Sequence, residues 1–148
     1  MTTLSDAVAN ARKSGDYQSV IDSIPYMRFL GLTLQTHADG PICHMPGSEH
    51  ITGNPILPAI HGGVVGAFLE STAIMHLIWA HESRHVPKII NLTVEYLRSA
   101  RVIDTYAQAV ITKHGRRIAN MRIEAWQGDR ARPVAAAHAH FLLPSEDA

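Results

Sequence analysis

The stretch Asn54-Pro-Ile-Leu-Pro-Ala-Ile-His61-Gly62-Gly63 leads into residues 64–80, which are apolar on nearly every face of a helix. A helix that is hydrophobic all round belongs in the middle of a core. One carboxylate, Glu70, lies inside it, and burying a carboxylate is costly unless it is paired, protonated or useful. Gly62 and Gly63 stand at the helix start, where the first turn offers N–H groups with no intrahelical partner and the positive end of the helix dipole. Donors at the mouth of a helix and a lone acid within it point to chemistry. Glu70 and His76 interrupt the run near its centre, which argues for a core helix over a membrane span.

Downstream, Pro87 closes the helical possibility. Four segments with two-residue alternation follow. In 88–98 one face carries Ile90, Leu92, Val94 and Tyr96; in 102–112 it carries Ile103, Ala107, Ala109 and Ile111. In 117–127 it carries Ala119, Met121, Ile123 and Ala125, and in 133–143 Ala135, Ala137, Ala139, Phe141 and Leu143. The breaks at Ser99-Ala100, His114-Gly115 and Gly128-Asp129 leave no room for crossover helices, so these strands are expected as antiparallel neighbours in a meander. Upstream, 30–37 and 41–45 read as two strands joined at Asp39-Gly40. Residues 46–58 hold Pro46, Gly47, Gly53, Pro55 and Pro58, which predicts a loop long enough to be functional or mobile. Val20, Ile21, Ile24, Met27 and Phe29 suggest a helical turn or two broken at Pro25. Residues 1–16 are polar and small and read as a loose arm or a short surface helix. The fold class is therefore α+β, an antiparallel sheet wrapped around one long central helix, with one domain over 17–148 behind an arm at 1–16.

Lys plus Arg and Asp plus Glu both number 13, so no net charge argues for a nucleic-acid partner or an anionic membrane surface. The single cysteine, Cys43, cannot form an intrachain disulfide, which fits a reducing cytoplasm. Residues 1–20 mix Asp6, Arg12, Lys13 and Asp16 with small residues, without a signal pattern.

The element order, with His61-Gly62-Gly63 opening the helix and an acid eight residues after Gly62, resembles the hotdog-fold acyl-CoA thioesterases, in particular the phenylacetate-degradation type. The Gly53-Asn54-Pro55 loop, the Leu-Thr-Val-Glu-Tyr-Leu-Arg segment at 92–98, and Gly115-Arg116-Arg117 before the third of the four strands carry the likeness over residues 24–143. The resemblance implies that the Gly62 amide polarises the thioester carbonyl and that Glu70 is the catalytic acid, as general base or nucleophile. It places Asn54 near a residue that positions the water or thioester, one residue further from the glycines than the family pattern, and matches His61 to the His before them. It also implies dimerisation by joined sheets, and phosphate contacts from Arg116 and Arg117. Two places depart from it: where the family has a hydroxyl residue and an Asp, this chain has Ile89 and Asn91.

Thioester hydrolysis needs an oxyanion donor and a group that attacks or delivers water. Eight helical residues separate Gly62 from Glu70 by about 12 Å, while both must come within roughly 3 Å of the reacting atoms. The expectation is a site in which Gly62 of one subunit meets Glu70 of another in a homodimer, with a dimer of dimers left open. Ile56, Leu57, Ile60, Phe68 and Leu69, beside Gly63, are expected to line a pocket for a hydrophobic or aromatic acyl group. The expected substrate is acyl-CoA, with no metal and no other cofactor. The bland alternatives are a Glu70 satisfied by a hydroxyl or an arginine, and a His61 that merely holds the loop.

His81-Glu82-Ser83-Arg84-His85 spells a helical zinc-hydrolase motif, but it falls at the polar end of the helix just before Pro87, and Asn91 stands where a third ligand would. His138 and His140 share one strand face, an arrangement that can bind a metal but more often marks a solvated surface. A dehydratase or hydratase on the same fold pairs a His with an acid about fourteen residues on, or an Asp with a His five residues on. From His61 the first spacing lands on Met75, and no His follows an Asp by five in the helix. A non-catalytic acyl-CoA-binding protein is the other alternative, kept open by Ile89 and Asn91.

Overall fold

The computed structural model describes residues 2–145. Its first element, α1 (Leu4–Ser14), is a well-terminated helix. Thr3 and Asp6 form a reciprocal capping box, and Gly15 closes the other end in the left-handed conformation at φ 79°. Val8 and Ala11 are fully buried in the same core as the central helix. Of the two readings of 1–16 the structure has the short helix, and it is anchored rather than loose. Short helices α2 (Gln18–Asp22) and α3 (Pro25–Phe29) follow, with Pro25 in the first turn of α3 where its missing N–H costs nothing.

Strands β1 (Thr33–His37) and β2 (Gly40–Met45) form the expected hairpin. The turn places Gly40 at φ 119°, with its backbone directly over the buried His76 ring. A Cβ at Gly40 would lie 2.5 Å from His76 Nδ1. Gly40→Ala is therefore expected to cost about 1–3 kcal/mol of stability from backbone strain alone, with the clash added, read as a lower denaturation midpoint.

Residues 46–58, expected as loop, contain a 3₁₀ turn at Glu49–Ile51 and a small ribbon of β3 (Thr52–Asn54) and β4 (Ala59–Ile60). The ribbon forms because Gly53 lets the backbone lie against His61, where a Cβ would come within 2.5 Å of its Cα. The central helix α4 (Gly62–Ala80) runs from this ribbon across the sheet.

The main sheet has strands β5 (Lys88–Tyr96), β6 (Thr105–His114), β7 (Ile118–Trp126) and β8 (Ala135–Leu142) in the order β1-β2-β6-β7-β8-β5, all antiparallel. The four-strand meander is corrected here: only β6, β7 and β8 form one, while β5 pairs with β8 at the edge and β6 lies beside β2. Residues 97–104 are a crossing connection rather than a turn. Leu97 and Arg98 donate to Val134 O, Ala100 O accepts from Ile60 N, and Arg101 bridges Ala59. Those bonds fix the connection to the ribbon and to the entrance of β8, so β6 cannot fold back onto β5.

The helix-facing side of β6, β7 and β8 is paved with Ala107, Ala109, Ala119, Ala125, Ala135, Ala137 and Ala139, all buried. Such small side chains let α4 pack Phe68, Leu69, Met75, Leu77 and Ile78 close to the sheet. By length and composition α4 could cross a membrane, but just over half of its most apolar window is packed inside the domain. Burial is not all round, as the sequence had suggested. Val64, Ala67, Glu70 and Ile74 form a half-open stripe.

Candidate active site

The mouth of α4 is built by its own cap. His61 leaves the extended loop at φ −57° and ψ 130°, and its Nδ1 accepts from Gly63 N at 2.9 Å. Val64 N and Val65 N both donate to His61 O. Of these first-turn amides, only that of Gly62 has no partner among the described residues. It is a free donor at the positive end of the helix. The imidazole of His61 is used as a cap, which fixes Nδ1 as the acceptor and the proton on Nε2.

Tyr96, at the end of the edge strand β5, was not singled out in the sequence. Its hydroxyl donates to Gly62 O at 2.8 Å, and its ring lies 3.5 Å from where a Gly62 Cβ would stand. The signal was present in two pieces, the alternation that turns Tyr96 toward the helix and the small residues Gly62 and Gly66 one turn apart, but nothing in sequence joins them. Tyr96 and Ile60 line a cleft of about 380 Å³ with Val65, Leu97 and Ala100.

Glu70 lies two turns along, on the half-open stripe. Among the described residues its carboxylate has neither an ion-pair nor a hydrogen-bond partner. Burial alone pushes its pKa above the ordinary value of 4.5. Among the described residues no arginine or hydroxyl bonds to it, as a structural acid would need.

The other expected site residues scatter. Asn54 Oδ1 accepts from Ile56 N and Leu57 N at 2.9 and 3.3 Å, holding the tip of the ribbon. Ile56 is 91% and Leu57 65% exposed at that tip, while Ile60, Phe68 and Leu69 are buried in the core. One chain therefore does not gather these five into an open pocket. Gly63 sits at the mouth, its N–H spent on His61. Arg116 and Arg117 occupy the β6–β7 turn and line a cavity at the opposite end of α4. Of the two departures from the family pattern, Ile89 is partly exposed beside a bulge, and Asn91 Oδ1 accepts from His140 Nδ1 at 2.6 Å.

The zinc-hydrolase spelling does not fall on a helix. His81 is the C-cap of α4 with extended backbone at φ −104° and ψ 151°, and residues 81–87 are irregular, so His81 and His85 do not share a helical face. His81 instead meets His114 of β6, Nε2 to Nε2, with the rings stacked at 4.5 Å.

Burial holds the pKa of His76 below 6.5, and burial, then His114 and Arg12, does the same for His81. With a depressed folded-state pKa, the unfolded chain takes the proton first. The stability these groups contribute is complete above their unfolded value and is lost as pH falls through the folded one. Urea midpoints are expected to drop between about pH 7.5 and pH 5.5, and His81→Gln to flatten that dependence.

Residues 57–134 match the family described as the thioesterase superfamily. No curated protein matches the sequence. Among solved structures, a protein from Chromobacterium violaceum is 39% identical over 93% of this chain and 96% of its own, with a TM-score of 0.77. A phenylacetic acid degradation-related protein from Ralstonia eutropha is 21% identical over 86% of this chain and 98% of its own, with a TM-score of 0.73. Thioesterase superfamily member 2 from Mus musculus is 20% identical over 89% and 98%, with a TM-score of 0.74. The last two share the hotdog architecture. The family match takes in the helix mouth, Glu70 and strands β5 to β7, so the features described above lie in the part of the sequence that defines the family, and the chain belongs to the thioesterase superfamily.

Proposed function

We propose that the protein hydrolyses acyl-CoA thioesters to a carboxylic acid and free coenzyme A in a site shared by two copies of the chain. The observation that carries this reading is the pairing of two unsatisfied groups of opposite character on one helix, the free Gly62 N–H and the unpartnered Glu70 carboxylate. Eight residues apart, about 12 Å along the axis, they cannot serve one thioester in one chain. Antiparallel pairing of two β5 edges would run the two α4 helices in opposite directions and bring each mouth to the other's acid. Ile90, Tyr96 and Leu97 on that edge are exposed in one copy, and the stripe around Ala67 and Ile74 is half-open. Both are apolar surfaces that a second copy would cover.

In this site the thioester oxygen accepts from Gly62 N–H as negative charge develops on it. Glu70 either takes a proton from the attacking water or attacks the carbonyl itself to give an anhydride that water then opens. Either way the C–S bond breaks, the thiolate of coenzyme A leaves and takes up a proton, and Glu70 returns ionised. No metal or further cofactor enters. Ile56 and Leu57, exposed at the ribbon tip, would meet the acyl group where two copies join, which favours a hydrophobic or aromatic acyl chain.

A second reading, acyl-CoA binding without turnover, is favoured by Ile89 and Asn91, which stand where the family pattern has hydrogen-bonding partners. A thiol-trapping assay over short, long and aromatic acyl-CoA esters, run beside calorimetric binding, separates the two. Release of coenzyme A supports hydrolysis; binding with no release supports the second reading.

A further inference from the structure

The outer face of the sheet, turned away from α4, carries a pair of histidines that the proposed reaction does not use. His138 and His140 stand two residues apart on β8, and Ala137 and Ala139, which alternate with them, are buried against the helix, so both imidazoles point outward. His138 is exposed and His140 half-buried. Strand β8 is bonded to β7 on one side and β5 on the other, which holds the two Cβ atoms about 7 Å apart. The rings are not equivalent. His140 Nδ1 donates to Asn91 Oδ1 at 2.6 Å, across the β5–β8 register, and that bond puts the proton on Nδ1 and leaves the lone pair on Nε2. Among the described residues neither His140 Nε2 nor the ring of His138 has a hydrogen-bond or ion-pair partner. Charges around the pair balance. Arg122, in register with His138, is bonded to Glu124 at 2.8 Å, while Lys88 and Glu95 stand opposite Leu142 and Ala136, one row beyond each histidine. A dication approaching this face meets two acids and two bases, so no net charge repels it.

An imidazole whose Nδ1–H is spent on a neighbouring oxygen, with Nε2 left open, is the arrangement that orients metal-ligating histidines. Two nitrogens held about 2.0–2.1 Å from one tetrahedral Zn²⁺ stand roughly 3.3 Å apart, and rings rooted about 7 Å apart on one strand face reach that separation by leaning together. We propose that His138 and His140 bind a first-row transition-metal dication such as Zn²⁺ through their Nε2 atoms. Asn91 is the positioning residue: it fixes the ring of His140, and the exposed ring of His138 turns to meet the ion. Among the described residues no group of three or more His, Cys, Asp or Glu side chains is placed to hold a metal. The protein therefore supplies two ligands and water the rest, which makes this an open, exchangeable surface site rather than a closed structural one. The sheet separates it from Glu70 on α4, so it takes no part in the proposed hydrolysis, and its test reads metal binding alone.

The test is calorimetric titration of the full chain with zinc chloride at about pH 7.5, repeated in the presence of magnesium chloride. One equivalent of Zn²⁺ is expected to bind and Mg²⁺ not to compete, because imidazole suits the transition ion and oxygen suits magnesium. His138→Gln and His140→Gln should each weaken binding at least ~10-fold, since each removes one of the two protein ligands. Both side chains lie outside the core, so the metal-free variants should keep the wild-type urea midpoint. Asn91→Ala should weaken binding by ~10–100-fold and, in the metal-free protein, release His140 from the Nδ1–H tautomer in its nitrogen NMR spectrum; Asn91→Asp should restore both. His114→Gln, which breaks the close histidine pair with His81 at the far end of α4, should leave the site intact. No saturable Zn²⁺ binding, binding unchanged in both β8 variants, or displacement of Zn²⁺ by equimolar Mg²⁺ would overturn the proposal. Binding lost in His114→Gln but kept in the β8 variants would overturn it as well, by placing the ion elsewhere. Unchanged binding and tautomer in Asn91→Ala would overturn the positioning role.

Discussion

Glu70→Gln is expected to lower coenzyme A release by ~10²–10⁴-fold while leaving acyl-CoA binding intact. The substitution keeps the side chain's shape and removes only its capacity to take a proton or attack. In wild type, burial raises the folded-state pKa of Glu70 above 4.5, so the ionised acid opposes folding at neutral pH, and that cost disappears below the unfolded value, where both states are protonated. The Gln variant should therefore melt at the same temperature as wild type or higher at pH 7, losing activity without losing stability. The rate should rise with pH as Glu70 ionises, on a limb displaced upward from that of an ordinary glutamate. Turnover within a few-fold of wild type would sink the role assigned to this residue, and a large fall in melting temperature would mean that the carboxylate has a structural partner after all.

The second large effect tests the shared site. Proline is well tolerated in the first position of a helix and removes one N–H, and His61, at φ −57° and ψ 130°, already has the extended backbone that a following proline demands. A Cβ at position 62 meets the Tyr96 ring at 3.5 Å, an ordinary contact. Gly62→Pro should fold and lose ~10²–10³ in kcat, the usual loss for one oxyanion donor. Co-expressed with Glu70→Gln under two affinity tags, it yields mixed dimers in which one site carries both changes and the other neither. Those dimers are expected to recover about half of the wild-type rate per dimer from two nearly silent parents, because one of two independent sites is intact. If each site were confined to one chain, the mixed dimer would be as inactive as its parents.

The parts of the fold legible in the sequence were those where one periodicity repeats over a long run. The apolar segment at 64–80, the alternation of Ala119, Met121, Ile123 and Ala125, and the alternating alanines of 135–139 each leave a single packing solution. The connection at 97–104 was not legible, because its course is fixed by bonds to Val134, Ile60 and Ala59 rather than by its own residues. Helix α1 was hard to see because its buried face is partly alanine, which gives little hydrophobic contrast. At the candidate site, the glycines at the helix mouth and the lone acid within it stand out by type and position, while the roles expected of them come from the family resemblance. Asn54 could not be read as a turn-holder, nor Tyr96 as a neighbour of Gly62, since both depend on contacts that the chain makes only once folded. Apolarity alone marks the acyl-pocket residues in the sequence, a property that serves an interior equally well, and Phe68 and Leu69 lie there.

The bond from Tyr96 to Gly62 has one more consequence. It ties the outermost strand to the first peptide of the helix, so sideways slippage of that strand is transmitted as a tug on the neighbouring amide. In the proposed shared site, weak association at the rim and poor alignment at the reacting carbonyl would be one and the same fault, and a protein too dilute to pair would also be a protein out of tune.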